Sequence, residues 1–111
     1  MTVKEFAEKA GYKVLTGDAG LDNEIESAYV GDLLSWVMGR ARSGDAWVTI
    51  MTNMNVVAVA SLADTACVVI AEAAEIDAGI VERAESQGIN LLRSADPIFA
   101  ACSRIAAACG L

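Results

Sequence analysis

The stretch WVTIMTNMNVVAVASLA, residues Trp47–Ala63, decides the fold of this chain. It lies within an uncharged run that extends from Ala46 to Ala63. This run is slightly shorter than the roughly 20 apolar residues that a membrane-spanning helix needs. Thr52, Asn53 and Asn55 near its middle would also be costly in lipid. We therefore expect two buried elements joined by a polar corner, and no membrane span.

The two elements differ in their residue pattern. AWVTIM is short, apolar and rich in β-branched residues, and it follows the turn RSGD, so it predicts a buried strand. VVAVASLA predicts a helix of small residues, because burial can override the weak helix propensity of valine. Asparagine and threonine side chains accept hydrogen bonds from the free N–H groups of a first helical turn. The corner TNMN is therefore predicted to cap this helix through Asn53 or Asn55.

The same strand–helix unit recurs twice downstream. CVVIA predicts a strand, and EIDAGIVERAESQG predicts a helix that is capped by Asp77 and ends at Gly88. INLLRS predicts the next strand. ADPIFAACSRIAAACG predicts a last helix with Asp96 as its N-cap, Pro97 at its first position and Gly110 at its end. Repeated strand–helix alternation favours a parallel sheet with right-handed crossovers.

The first third of the chain adds shorter elements. TVKEFAEKAG predicts a helix with Thr2 and Glu5 at capping-box spacing and Gly11 at its end. YKVLTG and NEIESAYV predict two short strands. DLLSWVMGRAR predicts a helix with Asp32 as its cap.

These patterns predict a single α/β domain over residues 1–111. The expected fold is a mostly parallel sheet of four to six strands covered by about four helices. The strands near Trp47–Met51, Cys67–Ala71 and Asn90–Leu92 should be parallel to one another. Any antiparallel pair should lie in the first third of the chain.

Composition excludes several classes of function. The chain has 8 basic and 15 acidic residues, a net charge of −7, and no histidine. Negative charge repels nucleic acid phosphates and anionic lipids, so we expect neither as a partner. Without histidine or a metal-binding cysteine motif, no metal and no cofactor are expected.

The cysteines and the N-terminus indicate the cellular location. Cys67, Cys102 and Cys109 are predicted to be three reduced, buried thiols. The charged N-terminus lacks a secretory signal core, so the expected location is cytoplasmic.

A candidate ligand site follows from the predicted sheet. Ligands of open α/β sheets bind beyond the carboxyl ends of the strands, where helix N-termini favour anions. The residues at those ends are Thr52, Asn53, Asn55, Ser94 and Asp96. These side chains predict either ordinary helix caps or a site for an adenine nucleotide or another small anion. Glu72 lies at the same edge and would repel a phosphate.

A candidate interface lies on the helix near residues 32–42. Leu34, Val37, Met38 and Ala41 share the spacing of a core-facing stripe. Leu33, Trp36 and Arg40 form a second stripe, with the composition of an interface anchor. The alternatives are a surface for a second copy or a protein partner, and a Trp36 side chain covered by a neighbouring loop.

The sequence also resembles a known family. The segments VGDLLS, TNMNVVAVASLAD and AESQGINLLRSADPIF are similar to DRTGG domains, and the similarity extends from about Thr2 to Cys109. DRTGG domains resemble the N-terminal domain of HPr kinase/phosphorylase and occur beside CBS domains in some pyrophosphatases. TNMNVVAVASL is similar to a stand-alone subgroup that is often encoded near iron-only hydrogenase and NADH-dehydrogenase-type subunits.

The resemblance has clear departures. Asn53, Met54 and Asn55 stand where the family has Asp-Arg-Thr, and Glu72 and Ala73 stand where it has Gly-Gly. The nucleotide contacts of CBS-linked members therefore cannot be transferred to these positions. The phosphate-binding motif GxxxxGK[ST] does not occur either, so the resemblance does not imply kinase activity.

Together, residues and resemblance predict a non-enzymatic chain. The expected function is a regulatory or protein-interaction domain of a cytosolic enzyme system, and the resemblance implies a link to redox or hydrogenase proteins. The alternative is a small-ligand sensor that binds an adenine nucleotide.

Overall fold

Strand–helix units form most of the molecule. The computed structural model describes all residues, Met1–Leu111. In chain order the elements are α1 (Val3–Ala10), β1 (Lys13–Val14), β2 (Ser27–Val30), α2 (Leu34–Arg40), β3 (Asp45–Thr49), α3 (Asn55–Ala63), β4 (Cys67–Ile70), α4 (Ala78–Ser86), β5 (Leu91–Arg93) and α5 (Ile98–Cys109). The predicted single α/β domain is confirmed, with five helices where about four were expected.

The five strands form one sheet in the order β1-β5-β4-β3-β2. The pairs β2–β3, β3–β4 and β4–β5 are parallel, which confirms the prediction for the three central strands. The antiparallel pair is β1–β5. The prediction that any antiparallel pair would lie in the first third is therefore wrong, since only β1 belongs to that part of the chain.

The uncharged run divides as predicted. Its first part is β3, in which all five residues are buried, and its second part is α3. β3 begins and ends two residues earlier than the expected Trp47–Met51. β5 is shifted in the opposite direction, by one residue from Asn90–Leu92. Shifts of this size are ordinary, because the ends of an element depend on tertiary hydrogen bonds.

Helices cover both faces of the sheet, because alternate strand residues point to opposite sides. One core cluster joins α1 and α5 to the strand residues Ala46, Val48, Cys67, Val69 and Leu92. The other core cluster joins α2, α3 and α4 to Trp47, Val68, Ile70 and Leu91. The three connecting helices thus share one face of the sheet, and α1 with α5 cover the other.

Several predicted helix ends are confirmed. The side chain of Thr2 accepts from the Glu5 N–H at 3.1 Å, and the Glu5 carboxylate accepts from the Thr2 N–H at 2.9 Å. Gly11 and Gly110 end α1 and α5 with φ of 74° and 71°, a left-handed conformation that glycine adopts without a Cβ clash. Asp77 precedes α4 as predicted, but its side chain makes no capping hydrogen bond.

The cysteines differ partly from the expectation. All three are free thiols, but only Cys67 is buried, whereas Cys102 and Cys109 are half-buried. Burial raises the pKa of the Cys67 thiol to about 12.

None of the helices combines the length and the apolar character required to cross a bilayer.

Candidate functional site at the carboxyl edge of the sheet

The end of β3 is fastened by the carboxylate of Asp32. One oxygen of this carboxylate accepts from the Thr49 hydroxyl at 2.7 Å and from the Ile50 N–H at 3.0 Å. The expectation that Asp32 caps α2 is therefore wrong. The residue before α2 is Leu33, which offers no side-chain cap. A buried hydroxyl competes better for the carboxylate than a solvent-exposed helix end does, because an unpaired buried donor is costly.

The polar corner before α3 acts as a helix cap. The side-chain oxygen of Asn53 accepts from the Asn55 N–H at 2.9 Å, and its carbonyl accepts from the Val56 N–H. Asn53 thus satisfies the first N–H group of α3, as was predicted for a cap, although Met54 is the residue directly before the helix and makes no side-chain cap. Asn55 begins the helix and faces solvent, and Thr52 is half-buried.

The residues that follow β5 are held within the protein. Ser94 is only 1% exposed, and its hydroxyl accepts from the Asp96 N–H at 3.0 Å. The Asp96 carboxylate accepts from the Tyr12 hydroxyl at 2.8 Å and from Arg104 Nε at 2.7 Å. These two donors, the Tyr12 hydroxyl first, lower the pKa of Asp96. Burial is the main cause of the raised pKa of Tyr12.

The expectation that Asp96 caps α5 is therefore wrong. Its carboxylate is taken by Tyr12 and Arg104, and α5 begins after Pro97, one residue later than expected. The Ile98 N–H instead donates to the carboxylate of Glu72 at 3.1 Å. A carboxylate of the chain thus occupies the N-terminus of α5, where an external anion was expected to bind. Its negative charge weakens the binding of phosphate at this edge of the sheet.

The five predicted ligand residues do not converge. Thr52, Asn53 and Asn55 lead into α3 on one side of the sheet, whereas Ser94 and Asp96 lead into α5 on the other side. None of the three surface grooves of the protein contains residues from both groups. Asn55 alone lies in a groove, between α3 and α4. The edge therefore offers separate caps and no shared cavity.

The turn after β4 has an unusual backbone. Glu72 and Ala73 are consecutive residues with φ of 62° and 53°, a left-handed conformation that disfavours residues with a Cβ. Long-range hydrogen bonds hold it: the Glu72 N–H donates to Asp96 O at 2.9 Å, and the Ala73 N–H donates to Ser94 O at 2.8 Å. This turn therefore ties the end of β4 to the chain that leads into α5.

Replacing Ala73 with glycine should stabilise the protein. Glycine adopts this φ without a steric penalty, so we expect the free energy of unfolding to rise by about 1 kcal/mol despite the greater chain entropy of glycine. The matched control is Ala74→Gly, because Ala74 does not have a positive φ. Urea denaturation should show the control unchanged or less stable. A loss of stability in Ala73→Gly would contradict the assignment of strain to this position.

The predicted second stripe of α2 is exposed. Leu33 is 60% exposed and Trp36 is 55% exposed, so no neighbouring loop covers Trp36. The Arg40 guanidinium lies 4.0 Å from the centre of the Trp36 ring, which is within the range of a cation–π contact. Of the two alternatives that the sequence left open, the structure has the exposed one, and we call this surface the α2 surface and define it by Leu33, Trp36 and Arg40.

The predicted inner stripe of α2 is only partly correct. Val37 is fully buried, and Leu34 and Ala41 are half-buried. Met38 was expected in the core but is 49% exposed. Because α2 has only seven residues and lies over the edge strand β2, one side of the helix extends beyond the sheet.

Three features of this edge were not predicted from the sequence. They are the Glu72 cap of α5, the hydrogen bonds of Asp96 to Tyr12 and Arg104, and the groove between α3 and α4. No local pattern indicates the first two, because their partners are 26, 84 and 8 residues apart in the chain. For the groove, the only indication in the sequence is that α3 carries no charged residue.

Comparison with known proteins assigns no function to these features. No family model matches the chain, and no curated protein matches it. No group of three or more cysteine or acidic side chains is arranged to hold a metal ion.

Proposed function

We propose that this chain is a non-catalytic regulatory or protein-interaction domain of a cytosolic enzyme system. The observation that carries the proposal is the exposure of the α2 surface. Trp36 is more than half exposed, whereas the only other tryptophan, Trp47, is completely buried. Tryptophan and arginine are enriched among the residues that dominate protein–protein binding energy. The contact of Arg40 with the Trp36 ring also orients the indole before a partner arrives, which reduces the entropy lost on binding.

The charge distribution supports the same surface. The segment from Leu33 to Ala63 contains Arg40 and Arg42 but only one acidic residue, Asp45, which is buried. The other 14 of the 15 acidic residues lie outside this segment. A protein of net charge −7 repels similar acidic proteins, so association is less opposed where carboxylates are few; Asp32, which precedes Leu33, is an exposed carboxylate in this region, and it is hydrogen-bonded to Thr49 and Ile50.

Further apolar side chains extend the exposed area. Val30 is 50% exposed at the end of β2, and Ile50 is 42% exposed just after β3. These ends are adjacent, because Val30 is paired with Val48 in the sheet. Exposed apolar residues that occur together favour an interaction site over chance exposure.

The resemblance to DRTGG domains supports a regulatory role. The family has two glycines at the positions of Glu72 and Ala73, and both residues have the left-handed backbone that glycine favours. The link to redox or hydrogenase proteins rests on the resemblance of TNMNVVAVASL alone.

The nucleotide-sensor alternative has less support. Asn53 is occupied as a cap, and Glu72 occupies the N-terminus of α5 with a negative charge. The candidate ligand residues also lie in two separate groups on opposite faces of the sheet.

The test of the proposal is the Trp36→Ala variant. A homodimer or a complex with a partner protein should lose affinity by about 30-fold or more, since a central tryptophan contributes about 2 kcal/mol or more to binding. Sedimentation at high protein concentration measures self-association, and affinity capture from native lysate followed by titration measures partner binding. Phe99→Ala is the matched control, because Phe99 is an exposed aromatic residue on α5. Association that survives Trp36→Ala, or no association at all, would refute the proposal.

A further inference from the structure

The outer face of α3 is uncovered although the helix carries no charge. Its inner residues Val56, Val57, Val59 and Ala60 are buried. The outer residues Asn55, Ala58, Ser61 and Leu62 are exposed, and Leu62 is 71% exposed. A helix that is apolar all round is ordinarily buried, and the outer face of α3 exposes Ala58 and Leu62 beside the uncharged polar residues Asn55 and Ser61. This face is therefore weakly hydrated for an exposed helix surface.

A groove runs along this face between α3 and α4. It has a volume of about 400 Å³. Half of its lining is apolar (Met54, Val57, Ala58 and Leu62), and the other half is polar: Asn55 and Ser61 on α3, Arg83 on α4, and Gln87 just after α4. No carboxylate lines the groove, although the chain has 15 acidic residues.

Arg83 has no acidic partner. The three salt bridges of the protein involve the N-terminus with Glu24, Arg93 with Glu75, and Arg104 with Asp96. The guanidinium of Arg83 thus borders a half-apolar groove with its five N–H donors available. A carboxylate that entered this groove would find a cation there and no other carboxylate in the lining, since the exposed Glu82 and Glu85 of α4 do not line it.

We propose that this groove binds an amphipathic helix of a partner protein, with an apolar ridge against α3 and a carboxylate beside the ridge that pairs with Arg83. The nine residues of α3 give the groove a length of about 13 Å, which matches about two turns of a helix. Apolar anchors at positions i, i+4 and i+7 of the partner would follow this length. The groove is a binding site additional to the α2 surface, and it does not depend on the proposed role of Trp36.

A second copy of this chain fits the groove less well. In a symmetric dimer the same patch faces itself, so the two Arg83 side chains would be brought together. Each copy would also carry its charge of −7 into the contact. A different protein can present one carboxylate to Arg83 without that repulsion.

The experiment uses three synthetic helical peptides with the same leucine ridge. They carry a glutamate, a glutamine or a lysine at one position beside the ridge, and each is titrated into isotope-labelled protein while backbone amide shifts are recorded. We expect shifts at Ala58, Ser61 and Leu62, with the glutamate peptide bound at least about threefold more tightly than the glutamine peptide and the lysine peptide bound most weakly. In Arg83→Gln the preference for glutamate should disappear, as a double-mutant cycle requires.

Two matched variants locate the binding site. Ala58→Trp should fill the groove and abolish binding, whereas Ala107→Trp places the same side chain on exposed α5 and should leave binding unchanged. Trp36→Ala should also leave it unchanged, which separates this result from the test of the α2 surface. Leu62→Gln should weaken binding without filling the groove, and a thermal melt checks that each variant is folded.

Three results would overturn the proposal. One is the absence of shifts in the groove with every peptide. Another is equal affinity for the glutamate and lysine peptides. The third is a wild-type dimer that dissociates in Ala58→Trp, since a second copy would then be the occupant.

Discussion

Replacing Trp47 with alanine is expected to lower the free energy of unfolding by about 3–5 kcal/mol. Trp47 is completely buried in β3, and its neighbours across the sheet are Tyr29 and Val68. Its indole N–H also donates to the Gly31 carbonyl at 2.9 Å. The alanine variant therefore loses apolar contacts, leaves a cavity and removes a hydrogen bond at the end of β2.

Trp36→Ala is the matched control for this prediction, because the chain has only these two tryptophans. Trp36 is 55% exposed, so we expect its replacement to cost less than about 1 kcal/mol. Urea denaturation followed by circular dichroism measures both variants on one scale. Equal losses in the two variants would show that the buried and exposed positions are wrongly assigned.

Replacing Asp32 with alanine is expected to lower the free energy of unfolding by about 2 kcal/mol. The hydroxyl of Thr49 is completely buried and donates to the Asp32 carboxylate, as does the Ile50 N–H. The variant leaves the buried hydroxyl without its acceptor. Asp32→Asn keeps one oxygen at this place, so its loss of stability should be smaller.

Asp22→Ala is the control for Asp32→Ala. Asp22 is exposed and makes no salt bridge, so its replacement should change stability by less than about 0.5 kcal/mol. Thermal melts of the three variants and the wild type at neutral pH measure the effect. An Asp32→Ala variant as stable as Asp22→Ala would mean that Asp32 does not fasten β3.

The helix caps explain which parts of the site could be predicted. The capping box of Thr2 with Glu5 is a correct prediction, and the expected capping by Asn53 is met by its bond to the Asn55 N–H, because in both cases donor and acceptor are two or three residues apart. Such pairs form as soon as the local chain turns, and the sequence shows both partners together.

The carboxylates of Asp32 and Asp96 show where local reasoning fails. Each precedes a predicted helix and has the composition of a cap, but each bonds instead to a distant group. The Thr49 hydroxyl is 17 residues from Asp32, and the Tyr12 hydroxyl is 84 residues from Asp96. Folding brings these donors close in places where water is scarce, and an acceptor is then worth more there than at an exposed helix end.

The strands, the helices and the parallel pairing of β3, β4 and β5 could be predicted from the residues alone, because hydrophobic periodicity and glycine positions act over a few residues. The residue spacing also placed Leu33, Trp36 and Arg40 on one stripe of α2, but the exposure of Trp36 is known only from the fold. Only the tertiary structure decided the sheet order, the separation of Asn53 from Ser94 on opposite faces, and the burial of Val37 but not Met38. The physical reason is that these properties depend on which distant elements pack together, and many arrangements of the same elements satisfy the local preferences equally well.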